Sequence, residues 1–154
     1  MLQWARANDC LWDEWTCARA AEGGHLEVLQ WARATGCPWD RYTCARAANT
    51  CAKAAEGGHL EVLQLARANG CPWNECTCMY AAFRGQLEVL QWLHATGCPW
   101  DADACQGAAT NGHLEVLQWL PANGCPWDEL TVVASKRNGH LEVANWAIAN
   151  GCPY

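Results

Sequence analysis

The sequence predicts an all-α solenoid of stacked helical hairpins with little or no β-hairpin, and three observations predict it. First, two unrelated landmarks repeat on one ruler. Gly-His-Leu stands at Gly24, Gly58, Gly112 and Gly139, with Gly85-Gln86-Leu87 among them, in steps of 34, 27, 27 and 27 residues. Cys-Pro-Trp stands at Cys37, Cys71, Cys98 and Cys125, with variants at Cys10 and Cys152, in steps of 27, 34, 27, 27 and 27. A period of this length marks a repeat architecture, in which each unit buries its apolar surface on the next. Second, the segment Leu26–Arg33 is apolar except for one narrow stripe, Glu27, Gln30 and Arg33. A helix apolar on most of its circumference is buried between neighbours rather than laid on a surface. Third, Gly23-Gly24 and Gly36-Cys37-Pro38 punctuate the helical segments as breaks and turns.

The ruler gives one domain: a leading half unit, 1–12, then units 13–39, 40–73, 74–100, 101–127 and 128–154. In unit 13–39, Asp13 caps a first helix (helix A) that includes 16–21. Gly23-Gly24 breaks it, and Leu26–Arg33 forms helix B with Glu27 near the positive helix N-terminus. Gly36 ends helix B, and Cys37-Pro38-Trp39 turns the chain into the next unit. Unit 40–73 is longer because Thr43–Asn49 is echoed by Thr50–Glu56. Seven extra residues are almost two helical turns, about 10 Å, so an overhanging helix A or a break near Asn49-Thr50 is expected. Pro121 stands in the last turn of its helix B, where the first unit has Arg33. A lost hydrogen bond there costs up to about 3 kcal/mol, less if the helix ends early.

Ala20-Ala21-Glu22-Gly23-Gly24-His25-Leu26-Glu27-Val28-Leu29, followed by Gly36-Cys37-Pro38-Trp39-Asp40, resembles the ankyrin repeat. The match runs from that family's Ala-Ala pair through its second helix to its closing Gly-Ala-Asp-Val-Asn, and it recurs five times. Two departures stand out. Trp15-Thr16-Cys17-Ala18 replaces the family's Thr-Pro-Leu-His, and the unit has 27 residues rather than about 33. The missing residues fall between Asp40 and Tyr42, where the family places its β-hairpin finger. The resemblance implies a non-catalytic module that binds another protein, without the family's finger contacts.

Comparing the units separates fixed from variable positions. Helix B is nearly constant. Helix A varies at positions two, five, six and nine past its cap, offsets that share one helical face. These are Trp15, Ala18, Arg19 and Glu22; Cys76, Met79, Tyr80 and Phe83; Asp103, Gln106, Gly107 and Thr110; Leu130, Val133, Ala134 and Arg137. A constant back with a variable front suits a partner-binding face, with candidates Trp15, Arg19, Tyr42, Cys76, Met79, Tyr80, Phe83, Asp103, Gln106, Leu130 and Arg137. Drift on a solvated face gives the same pattern. Cys76, Met79, Tyr80 and Phe83 form the most apolar set, either a hot spot or a face packed on the irregular unit beside it.

The 11 Trp form two expected ladders, Trp4, Trp31, Trp92, Trp119, Trp146 and Trp12, Trp39, Trp73, Trp100, Trp127, read as core filling in preference to a ligand platform. The 12 Cys also fall into two ladders, with Cys76 outside both. Ladder neighbours stand about one helix spacing apart, roughly 10 Å, beyond disulfide reach of about 7 Å. Pairs such as Cys37 and Cys44 stay open, and buried reduced thiols are the favoured reading. Cys76-Thr77-Cys78 diverges around a helix, so neither zinc nor another cofactor is expected. His25, His59, His113 and His140 recur in one setting, which suits structure rather than catalysis.

A net charge of −6 argues against nucleic acid and anionic membrane as partners, and no run of 18 apolar residues suggests a membrane span. The N-terminus reads as no secretory signal, which with the thiols points to the cytoplasm. The chain starts inside a helix B and stops where a helix A should follow. Neither end has a polar capping repeat, so self-association through uncapped ends is expected. The alternatives to a binding scaffold are a purely structural array, or a fragment of one, with no partner of its own, and behind it a thiol-rich metal or redox protein.

Overall fold

The computed structural model describes residues 19–21, 23–34 and 51–154. Its complete helices are α1 (Leu26–Ala34), α2 (Leu60–Ala68), α3 (Glu75–Phe83), α4 (Leu87–Ala95), α5 (Ala102–Thr110), α6 (Leu114–Ala122), α7 (Glu129–Arg137) and α8 (Leu141–Ala149). Residues 51–56 are also helical, and no strand occurs among the described residues. The fold is an all-α, ankyrin-like solenoid. First helices stack as one layer, α3 on α5 and α5 on α7, and each hairpin closes on its own helix B: α3 on α4, α5 on α6, α7 on α8.

Both turns of a unit use the same terminus. At the end of α3, Gly85 N–H donates to Ala82 O and Gln86 N–H to Ala81 O. At the end of α4, Gly97 N–H donates to His94 O and Cys98 N–H to Leu93 O. This paired arrangement satisfies the last carbonyls and needs a left-handed residue, hence φ values of 72° at Gly85 and 78° at Gly97.

The core is small and dense. Leu63, Leu90, Leu117, Ala54-Ala55, Ala81-Ala82 and Ala108-Ala109 are fully buried. The stripe Glu61, Gln64 and Arg67, like Glu88, Gln91 and His94, is exposed. The described tryptophans correct the expectation of core filling, while Trp4, Trp12 and Trp39 lie outside the described residues. Trp73, Trp92, Trp100, Trp119, Trp127 and Trp146 are half-buried against the core, because Leu and Ala already fill it. Nor are the ladders separate: Trp73 meets Trp92 at 5.6 Å, Trp100 meets Trp119 at 5.8 Å, and Trp127 meets Trp146 at 5.9 Å. Arg67 lies 4.2 Å over Trp73, and His94 stacks on Trp100 at 4.2 Å.

Pro121 does not end its helix early; α6 keeps the nine residues of its counterparts. The expected overhang or break near Asn49-Thr50 lies outside the described residues. Cys51, from the second copy of the duplication, faces Cys71 with Sγ atoms 3.0 Å apart.

Candidate interaction surface

Local sequence sets how each first helix presents its face. Asp101 accepts from Asp103 N–H and Asp128 from Leu130 N–H, both at 3.1 Å, capping α5 and α7. Asn74 makes no such bond at α3. The opposite face of each helix is fixed by small buried residues, Cys78, Ala81 and Ala82 in α3, Cys105, Ala108 and Ala109 in α5, and Thr131, Val132 and Ser135 in α7, so the candidate positions are left facing out or towards the seam between units.

Cys76 and Asp103 are exposed, and Leu130, at the same position of α7, is 49% exposed. Met79, Tyr80 and Phe83 are half-buried. Arg19 and Arg137 are exposed, and Trp15 and Tyr42 lie outside the described residues. Gln106 is half-buried and donates to the Asp128 carboxylate at 3.2 and 3.3 Å. The face is narrower than four positions per helix. Gly107 is buried, because α5 presses on α3 there; a Cβ would stand 3.0 Å from Met79 O.

The α3 set, half-buried apart from exposed Cys76, reaches the unit beside it. Its aromatic rings touch neighbouring charges as well as solvent: Lys53 Nζ lies 6.0 Å from the Tyr80 ring, and Arg84 Cζ 5.9 Å from Phe83. Glu56 links these cations, 2.8 Å from Lys53 Nζ and 2.8 Å from Arg84. Its bond to Lys53 holds the Glu56 carboxyl below the usual carboxylate range, with a further pull from Arg84 against the opposing effect of burial. Sequence reasoning missed the link from Glu56 to Arg84, because a bond between units 28 residues apart leaves no local signal.

The repeated histidines hold the seams. Seen from Gly85, the His113 ring occupies the space a Cβ would take, and its Nε2 lies 3.1 Å from Phe83 O. Gly24 with His59, Gly58 with Gln86, and Gly112 with His140 repeat the arrangement. Four copies of one packing device are structural. Among the described residues no group of three or more His, Cys, Asp or Glu is placed to hold a metal, and no helix is long and apolar enough to cross a membrane.

Residues 51–94 and 78–120 match the family model for ankyrin repeats in many copies. Residues 51–120 of the chain carry ankyrin repeats. No curated protein matches it. Ankyrin repeats are in general protein–protein interaction modules and typically non-catalytic. The ankyrin units here reach their first-helix surface without a finger among the described residues: Cys98-Pro99-Trp100 leads directly to the cap at Asp101.

Proposed function

We propose that the chain is a non-catalytic scaffold that binds another protein through the outward face of its first helices. The supporting observation is the row of exposed, chemically different residues at one structural position, Cys76, Asp103 and Leu130, set on a nearly invariant support. Beside it run Met79, Tyr80 and Phe83, then Gln106, then Arg137, with Arg19, Trp15 and Tyr42 as the corresponding earlier candidates. A rigid support with variable, partly aromatic side chains suits recognition, since anchors of this type carry most of the energy of an interface. The cytoplasm is our proposed setting, in keeping with thiols used as small core side chains.

The test compares the chain with a variant in which Met79, Tyr80 and Phe83 are all alanine, each checked for its helical spectrum and melting temperature before use as bait. Loss of one partner from a folded variant supports the surface. Equal recovery by both discards it.

Exposed side chains of the last unit favour a second reading, self-association. Leu141 is 61% and Val133 45% exposed, whereas their counterparts Leu114 and Gln106 are half-buried. The same unit is more polar than the sequence reading assumed: exposed Lys136 stands where Ala82 and Ala109 are buried. Sedimentation of the chain and of Leu141→Glu separates the two, since only association through this face gives a mass that falls in the variant.

A further inference from the structure

One set of side chains does no work at the first-helix surface. Cys51 and Cys71 place their Sγ atoms 3.0 Å apart in the core. Cys78 and Cys98, and Cys105 and Cys125, stand at the same two positions of the repeat 27 and 54 residues on, and all four are buried. Each pair joins a first helix to the closing turn of its own unit, and each spans the same 20 residues. The closing thiols are held from the other side too: Cys98 donates to Asn74 O at 3.7 Å and Cys125 to Asp101 O at 3.3 Å.

We propose that Cys51–Cys71, Cys78–Cys98 and Cys105–Cys125 are sites of oxidative cross-linking, each forming one disulfide within its unit on exposure to a peroxide. Partner choice follows from geometry. Thiols along a ladder are a helix spacing apart, roughly 10 Å, and out of reach. Cys76 is exposed on the opposite side of α3 from the buried Cys78. In the last unit Val132 stands at the position of Cys78 and Cys105, so Cys152 has no thiol at that position opposite and keeps only the equivalent bond to Asp128 O at 3.2 Å.

The chemistry balances. One thiol attacks the peroxide, its sulfur taking an OH group as the O–O bond breaks and one water leaves. The second thiol attacks that sulfenic sulfur, the S–S bond forms and a second water leaves. Two S–H bonds and one O–O bond are lost, the sulfur pair gives up two electrons, and the peroxide is reduced to two waters. The neighbouring closing thiol, together with burial, pushes the Cys78 and Cys105 thiols far above the usual range. Thiolate is scarce in the closed core, so oxidation is paced by opening of the closing turn. Each bridge then ties a first helix to that turn and closes a 20-residue segment of the unfolded chain.

The test oxidises the reduced chain with hydrogen peroxide, alkylates remaining thiols and maps the peptides by mass spectrometry. Exposed Cys76 reports that oxidant was delivered. The expected result is linked peptides 51–71, 78–98 and 105–125, each short of two hydrogens, with a raised melting temperature. Cys78→Val places at that site the residue nature uses at 132; it is expected to keep the fold and leave Cys98 open to alkylation. Links along a ladder, such as 71–98, would overturn the proposal. So would full alkylation of these six thiols after Cys76 has been oxidised.

Discussion

Replacing Gly112 by alanine probes the seam between units more cleanly than any core truncation, because Gly124 supplies its control. Both glycines are left-handed, with φ of 75° and 86°. A Cβ at Gly112 would stand 2.5 Å from His140 Nδ1, whereas at Gly124 it would meet nothing within 4 Å. Gly124→Ala therefore carries only the left-handed strain of a residue with a Cβ, about 1–2 kcal/mol. Gly112→Ala carries the same strain and must also unseat the imidazole, adding about 1 kcal/mol. Urea unfolding followed by tryptophan fluorescence reads both, and an unchanged slope assigns the midpoint shift to stability. In a His140→Ala background the two glycine substitutions should become equally costly, the signature of direct coupling. Equal losses in the wild-type background would refute the idea that the histidine seals the seam.

Three further outcomes follow from the same geometry. Asp101→Ala should lose about 1 kcal/mol with its cap bond, and Asn74→Ala less, since Asn74 makes no cap bond; thermal melts compare them. The folded carboxyl of Glu56 is depressed, so its stabilisation is present above its ordinary value of 4.5 and lost as pH falls through the folded value. The stability gap between wild type and Glu56→Gln should therefore shrink in acid; a gap that is flat or grows towards low pH would rule this out. Pro121→Arg should stabilise α6 by about 1 kcal/mol through the restored backbone bond. It should also shift tryptophan fluorescence, as the new guanidinium covers Trp127 the way Arg67 covers Trp73.

Features that repeat were legible in the sequence. The 27-residue ruler gave helices, breaks and polar stripe, because each is local and written several times over. Residues that act once, or across a seam, were not. Trp100 and Trp119 belonged to two ladders on paper, yet they meet because the closing turn of one unit lands beside helix B of the next. Gly107 shared a variable face by spacing alone; close packing of α5 on α3 turns it inward. Thiol pairs across the two ladders were left open, with Cys37 and Cys44 as the example, because spacing alone does not set which turn faces which helix. Cys51 meets Cys71 of the opposite ladder, 20 residues on.

The proposed surface and the proposed cross-link meet in α3. Its outward side carries Cys76, Met79, Tyr80 and Phe83; its inward side carries Cys78 and the pair Ala81-Ala82. A helix of nine residues moves as one body, so a covalent tie from Cys78 to the closing turn acts on both sides at once. If the tie leaves α3 in place, a partner has less freedom to remove on binding, and the oxidised chain releases it more slowly. If the tie tilts α3, Met79 and Phe83 shift together and release is faster. A dissociation rate that is the same for oxidised and reduced wild type, yet changes in the Met79, Tyr80 and Phe83 variant, would place the surface on α3 and uncouple it from the thiols. A rate that responds to oxidation in wild type but not in Cys78→Val would join the two.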